Sequence, residues 1–186
     1  MIKKIITIPD KILRIKSKRI GYIDDSIRQL AEDMMQTTID WEHGSEDELG
    51  AALAAIQVGE PLRLTVVRED FDYESSKKFV TLVNPTIVKT STEKITDIEG
   101  CISTPGIYGR VERFLKVKVK AQDINGNEVR LSLEGFPARV LQHEIDHMQG
   151  ILFLDHVKDS KNLLSIDKNG QLSPLTNNDK VKLPNA

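Results

Sequence analysis

The chain has 186 residues, of which 39% are hydrophobic and 5% aromatic, and its formal net charge is −2. This length allows one real hydrophobic core, and the composition argues against a disordered chain. With 26 basic and 28 acidic residues, the chain has no overall excess of positive charge that would favour nucleic acid. The apolar patch near the start is too short for a signal peptide or a membrane span. We therefore predict a cytoplasmic protein with no specific DNA partner and no membrane association.

The sequence of the first third of the chain predicts a helix, a loop and a second, closely packed helix. A helix is expected from Asp24, because capping residues precede apolar side chains that recur at helical spacing over 27–35. Residues 41–49 are polar and acidic, which predicts a loop. Residues 50–59 are mostly small, and their simplest interpretation is a helix that lies close to a neighbouring element.

Four further segments have the composition of β-strands. Residues 62–68 and 78–84 are rich in β-branched and apolar side chains. Apolar residues alternate with polar ones over 115–121 and again over 129–133, and an Asn-Gly pair at 125–126 lies between them. This pattern predicts a β-hairpin whose lysines form the solvent face.

A second helix is predicted between Pro137 and Gly150, since proline favours the first turn of a helix and glycine its end. A short apolar strand is expected at 151–154. We predict an α+β fold in which short antiparallel strands surround this central helix, with the N-terminal helix on its flank. One domain is expected over 1–157, and a polar, weakly structured tail over 158–186.

The second helix carries the sequence His-Glu-Ile-Asp-His at 143–147. Positions four apart lie on one face of a helix, so His143 and His147 can bind one metal ion. Glu144 lies beside them, where it can move a proton to or from a metal-bound water. The pattern therefore predicts a hydrolytic metal site on this helix.

A hydrolytic metal site normally has a third protein ligand, and its identity separates the enzyme classes. A metzincin protease would have a histidine where this chain has Phe153, and a thermolysin-like protease would have a glutamate downstream of Glu144, where the sequence has none. Cys101 is the better candidate, because the glycine before it and the Pro-Gly pair after it indicate a tight turn. His156 and four downstream aspartates remain as alternatives.

Three segments together resemble the peptide deformylase family. They read Gly-Ala-Ala-Leu-Ala-Ala-Ile-Gln at 50–57, Glu-Gly-Cys-Ile-Ser at 99–103 and Gln-His-Glu-Ile-Asp-His at 142–147. The family has corresponding motifs in the same order, and the resemblance covers residues 5–157. Three ordered motifs, each with a role in one site, are far more specific than any one of them alone.

The resemblance implies that Cys101, His143 and His147 bind one divalent metal ion, with water in the fourth position. Ferrous iron is the ion that the family suggests, with zinc, nickel or cobalt able to occupy the site. The ligand types alone do not decide, because two imidazoles and one thiolate suit several metals.

The implied reaction is hydrolysis of the formyl group from the N-terminal formylmethionine of a nascent polypeptide. Glu144 would act as general base and then as general acid. The Gln57 side-chain amide and the Ile102 backbone N–H would stabilise the tetrahedral oxyanion. The implied partners are nascent N-formylmethionyl peptides, and transient contact with the ribosome is expected.

The other implied site residues support the metal ligands or contact the substrate. Asp146 is expected to form an ion pair with Arg113, and Gln142 to support the ligand helix in the same way. The residues expected to line the substrate cleft are Ala52, Gly100 and Val140. Ala52 stands where the family motif has glycine, so its methyl group is expected to affect the rate or the substrate preference rather than metal binding.

Two other functions are compatible with the sequence. The first is a zinc endopeptidase in which a residue other than Cys101 is the third ligand. The second is a non-catalytic domain of similar fold that binds nascent peptide or the ribosome. The complete set of ligands together with Glu144 and Gln57 favours the deformylase hypothesis over both.

Overall fold

The computed structural model describes residues 1–44, 50–70, 78–166 and 171–175. Within these residues it has the predicted α+β architecture, with two α-helices and nine β-strands. The helices are α1 (Asp25–Gly44) and α2 (Phe136–His147). The strands are β1 (Ala52–Ala54), β2 (Leu64–Arg68), β3 (Phe79–Thr90), β4 (Lys94–Gly100), β5 (Ile107–Phe114), β6 (Lys116–Gln122), β7 (Glu128–Glu134), β8 (Leu163–Ile166) and β9 (Leu172–Pro174). None of the helices described is long and apolar enough to cross a membrane.

Helix α1 begins where the sequence predicts, because the Asp24 carboxylate accepts a hydrogen bond from the Ile27 N–H (3.1 Å). Its apolar stripe is buried in one core cluster with side chains of β1 and β2. The helix continues to Gly44. The prediction of a loop from residue 41 is therefore wrong for 41–44, and residues 45–49 lie outside the described part of the chain.

Five strands form one antiparallel sheet in the order β1-β2-β3-β6-β7. The predicted hairpin is confirmed as β6 and β7, which pair from Lys116 with Glu134 to Gln122 with Glu128. The Asp123 carboxylate accepts the N–H groups of Asn125 and Asn127, both at 2.8 Å, and so closes the turn.

The remaining strands form a second antiparallel sheet in the order β4-β5-β8-β9. Strands β8 and β9 lie in the segment predicted to be a weakly structured tail, so that prediction is wrong for 163–166 and 172–174. Leu175 is also buried and donates its N–H to Leu163 (2.9 Å). Residues 167–170 and 176–186 lie outside the described part of the chain, and the domain boundary at 157 stays a prediction.

Helix α2 lies between the two sheets. Pro137 is in its first turn, and Gly150 follows its end with φ of 75°, as predicted. Ala138, Leu141 and Ile145 are buried in a core cluster with side chains of β2, β3 and β6. Because the apolar stripe faces the five-stranded sheet, His143 and His147 face the second sheet.

Two local predictions differ from the structure. Residues 50–59 do not form a helix: strand β1 is followed by a 3-10 helix at Ala55–Val58. Small residues suit both a close-packed helix and a strand that other backbone approaches closely, and sequence alone does not separate the two. Residues 151–154 are not a strand, since a 3-10 helix occupies Phe153–His156.

Candidate metal centre and substrate cleft

Three side chains from separate motifs converge at one point. The Cys101 sulfur and one nitrogen of each of His143 and His147 all lie within 4.8 Å of one another. The distance is 3.3 Å from Cys101 Sγ to His147 Nε2, and 3.1 Å between the two Nε2 atoms. Among the described residues this is the one such cluster of potential metal ligands.

The spacing of these three atoms suits a single metal ion. Tetrahedral coordination, with sulfur at about 2.3 Å and imidazole nitrogen at about 2.0 Å, separates the ligand atoms by about 3.3–3.6 Å. The observed 3.1 and 3.3 Å are close to these values. Thiolate with two imidazoles is a donor set for zinc, iron, nickel or cobalt, so the residues fit a divalent transition metal.

The local structure explains why Cys101 reaches the helix. Cys101 directly follows β4, and its carbonyl accepts the Thr104 N–H (2.8 Å) in a tight turn. Gly100, just before it, lies under the Tyr108 ring, and a Cβ at Gly100 would be 2.6 Å from Cε1 of that ring. The glycine is therefore required for β4 and β5 to pair closely at the point where the chain turns into the cluster.

Glu99 fixes the orientation of His143. Its buried carboxylate is 3.0 Å from His143 Nδ1, which leaves Nε2 directed at the cluster. The same carboxylate accepts hydrogen bonds from Arg113 (2.9 and 3.0 Å) and Arg139 (2.7 Å). Burial alone would raise the pKa of Glu99, but the hydrogen bonds of His143 and Arg113 hold it well below its usual range.

Arg113 connects this carboxylate to Asp146, the predicted ion-pair partner. His156 Nε2 is 2.8 Å from the Asp146 carboxylate, so a third residue completes the group. His156, which the sequence left open as an alternative third ligand, is 37% exposed and is bonded to Asp146 rather than gathered with Cys101, His143 and His147. Asp146 therefore holds the ligand helix against both β5 and the segment after α2.

Gln142 also attaches α2 to β5. Its side-chain amide donates to the Phe114 carbonyl (2.9 Å) and accepts the Phe114 N–H (3.1 Å). This pair of hydrogen bonds limits rotation and sliding of α2 next to His143.

Glu144 is buried, with 4% of its surface exposed. The Thr65 hydroxyl lies 3.4 Å from one carboxylate oxygen, a long hydrogen bond. Burial raises the pKa of Glu144 to about 7, which suits a group that must both accept and donate a proton near neutral pH.

The Gln57 amide is oriented by its neighbours. Its oxygen accepts the Ala54 N–H (2.8 Å), so its NH₂ group is directed at Cys101 Sγ (3.4 Å) and Ser103 Oγ (3.1 Å). A donor fixed in this way, beside a potential metal ligand, suits stabilisation of a developing negative charge.

A cleft of about 440 Å³ opens onto the cluster. All three residues predicted to contact the substrate line it: Ala52, Gly100 and Val140. Gln57, Cys101, Ile102, His143 and Glu144 line it as well. The described part of the structure thus brings these groups to the lining of one cavity, which is large enough for a peptide terminus.

The chain is similar in sequence to known proteins. The model of the polypeptide deformylase family matches residues 2–163. The peptide deformylase of Thermomicrobium roseum is 44% identical over 165 residues, which cover 87% of this chain and 89% of the relative. That of Brucella suis biovar 1 is 42% identical over 168 residues, 90% and 91% of the two chains. The chain belongs to the polypeptide deformylase family.

Solved deformylase structures share this fold. The crystal structure of a peptide deformylase from Ehrlichia chaffeensis has a TM-score of 0.77 at 35% identity and covers 87% of this chain and 91% of that one. A deformylase from Legionella pneumophila has a TM-score of 0.74 at 39% identity, with 85% and 87% covered. The predicted fold class and family are confirmed.

As a deformylase, this chain is a metal-dependent hydrolase that removes the formyl group from the N-terminal formylmethionine of newly made polypeptides. The Cys/His/His cluster agrees with the metal dependence of the family. The endopeptidase and the non-catalytic binding domain are not favoured by these relatives.

Sequence reasoning missed part of the deformylase site. The sequence gives Glu99 no role beyond its place in the motif at 99–103, and it gives Arg139 none. A signal was present for Arg139, because Arg139, His143 and His147 are spaced by four on one helix face, where a charged residue needs a buried partner. Thr65 had no such signal, because only the fold brings its hydroxyl to within 3.4 Å of the Glu144 carboxylate.

Changing Glu99 to glutamine is expected to lower the free energy of unfolding by about 3 kcal/mol, because Arg113 and Arg139 lose a buried counter-charge. Urea denaturation at pH 7 measures the loss. Glu112→Gln on β5 is the matched control, since Glu112 is 59% exposed and pairs only at the surface with Lys94. Equal stability of the two variants would contradict a structural role for the Glu99 carboxylate.

Proposed function

We propose that Cys101, His143 and His147 bind the metal ion of this deformylase and that Glu144 moves the protons of the reaction. The convergence of one sulfur and two Nε2 atoms beside a buried carboxylate is the observation that carries the proposal. When bound, a divalent ion supplies Lewis acidity that lowers the pKa of water from about 16 toward neutrality. Ferrous iron is the proposed native ion, with zinc, nickel or cobalt as alternatives.

Glu144 accepts a proton from the attacking water and later donates it to the departing amine nitrogen. Its burial and its pKa near 7 support both steps. The Gln57 NH₂ group and the Ile102 backbone N–H donate hydrogen bonds to the oxyanion formed from the formyl carbonyl. One such donor typically contributes about 3 kcal/mol to lowering the barrier.

Two sheet edges support a polypeptide as the substrate. Among the described strands, β1 pairs only with β2 and β4 pairs only with β5, so each has an unpaired edge. Ala52 of β1 and Gly100 of β4 both line the cleft. An extended peptide can bind such edges through its backbone, which recognises polypeptides of any sequence.

The supporting residues serve the same chemistry. Arg113, Asp146 and Gln142 hold the ligand helix, and Val140 offers an apolar surface for the methionine side chain. The protein is proposed to act in the cytoplasm on chains leaving the ribosome, through transient contact with the ribosome. We propose no specific DNA partner, because the near-neutral net charge gives the chain no basic surface for the phosphate backbone.

The test compares three peptides with protein purified anaerobically, whose metal is identified by elemental analysis. Formyl-Met-Ala-Ser is expected to release formate with about one metal ion bound per chain. Acetyl-Met-Ala-Ser is expected to react at least about 100-fold more slowly, because a site shaped for a single carbonyl hydrogen rejects a methyl group. Cleavage at an internal bond of a longer peptide, without formate release, would instead support the endopeptidase.

A further inference from the structure

The second sheet presents an apolar surface to the cleft beyond the reacting group. Ile166 and Leu172 are 41% and 40% exposed, and both line the cleft. They lie on β8 and β9, in the segment whose sequence had indicated no part in the site. Large apolar side chains left this exposed in a cavity wall suit contact with a ligand.

The strand register shows how these residues connect to the catalytic end of the cleft. Gly100 pairs with Tyr108, and Tyr108 pairs with Leu164, so these residues share one face of the sheet. Ile166 is two residues beyond Leu164 on the same face, and it pairs with Leu172. The face that carries the Tyr108 ring therefore continues without interruption to Ile166 and Leu172.

The same register gives the distances from Gly100 to Ile166 and Leu172. Neighbouring strands are about 4.8 Å apart, and two residues along a strand span about 7 Å. Ile166 is two strands and two residues from Gly100, and hence about 12 Å away; Leu172, one strand further, is about 16 Å away. A substrate that leaves the β4 edge after its first residues and crosses this face in extended form rises about 3.4 Å per residue, so these distances correspond to about three to five residues.

We propose that Tyr108, Ile166 and Leu172 form a second binding surface for apolar side chains of the polypeptide substrate downstream of formylmethionine. The inference rests on the proposed function and adds a preference to it. The occupant is the substrate itself, because the surface is continuous with the cleft that receives its N-terminus. Burial of a substrate side chain against Ile166 and Leu172 would remove apolar area from water on both partners.

The experiment moves one leucine through a formylated peptide. The series is formyl-Met followed by four alanines and a serine, with leucine replacing each alanine in turn. At one of these four positions, leucine is expected to raise kcat/KM about tenfold, mainly by lowering KM, because the contact is remote from the reacting carbonyl. In the double variant Ile166→Ser/Leu172→Ser this ratio between the leucine and alanine peptides is expected to fall to about 1.

The matched control is the double variant Val88→Ser/Ile95→Ser. It removes two apolar side chains that are 59% and 46% exposed, and neither is among the described residues that line the cleft. It is expected to keep the leucine preference. Formate release with no preferred leucine position, or a preference that survives in the Ile166/Leu172 variant, would overturn this inference alone. Failure of the wild-type protein to release formate from any peptide would overturn the proposed function and this inference with it.

Discussion

Replacement of Glu144 by glutamine is expected to lower kcat for formyl-Met-Ala-Ser by about 10²–10⁴-fold, the usual contribution of a positioned acid–base group. Glutamine has almost the same size and keeps an oxygen that can accept from the Thr65 hydroxyl. It cannot take up and release the proton that hydrolysis transfers from water to the amine. The loss should therefore appear in kcat, with the metal content of the protein unchanged.

The stability of the same variant separates a chemical from a structural role. Burial raises the folded-state pKa of Glu144 to about 7, above that of the unfolded chain. Above the unfolded pKa the ionised carboxylate is therefore less favourable in the folded state, and its removal relieves that cost. The metal-free variant is expected to unfold at an equal or higher urea concentration than the metal-free wild type at pH 7. A variant that is inactive and also unstable would contradict the assignment.

The parts of the fold and site that the sequence predicted well depend on patterns within one short segment of the chain. The i, i+4 spacing of His143 and His147 is a property of any helix, so the flanking proline and glycine were enough to place both on one face. The hairpin of β6 and β7 was equally local, since its turn and its alternation are contiguous in the chain. For the proposed third ligand, the glycine before Cys101 and the Pro-Gly pair after it indicated only a tight turn, and the ordered motifs of the family resemblance linked that turn to the distant helix.

The parts that the sequence missed depend on contacts between distant segments. Strand β8 has only four residues and β9 three, and the pairing of β8 with β5 and of β9 with β8 supplies the stability that their composition does not. His156 follows the ligand helix by nine residues, and only the 3-10 helix at Phe153–His156 brings it back to Asp146. Glu99 likewise becomes interpretable only when Arg113 and Arg139 are seen to share its carboxylate.

Cys101→Ser is expected to reduce bound metal from about one ion per chain to nearly none, and formate release with it. A serine hydroxyl remains protonated near neutral pH and is a poor ligand for a soft transition metal, whereas a thiolate is a strong one. Cys101 is the sole cysteine of the chain, so the substitution disturbs no disulfide. Elemental analysis after anaerobic purification, together with the formate assay, measures both effects.

Two histidine variants make this result decisive. His143→Ala and His147→Ala should lose the metal under either hydrolase hypothesis, because both hypotheses use the helical pair. Only the deformylase site, in which the Cys101 sulfur lies 3.3 Å from His147 Nε2, requires the loss in Cys101→Ser as well. Metal retained by Cys101→Ser and lost by both histidine variants would mean that another residue completes the site, and the ligand set proposed here would be wrong.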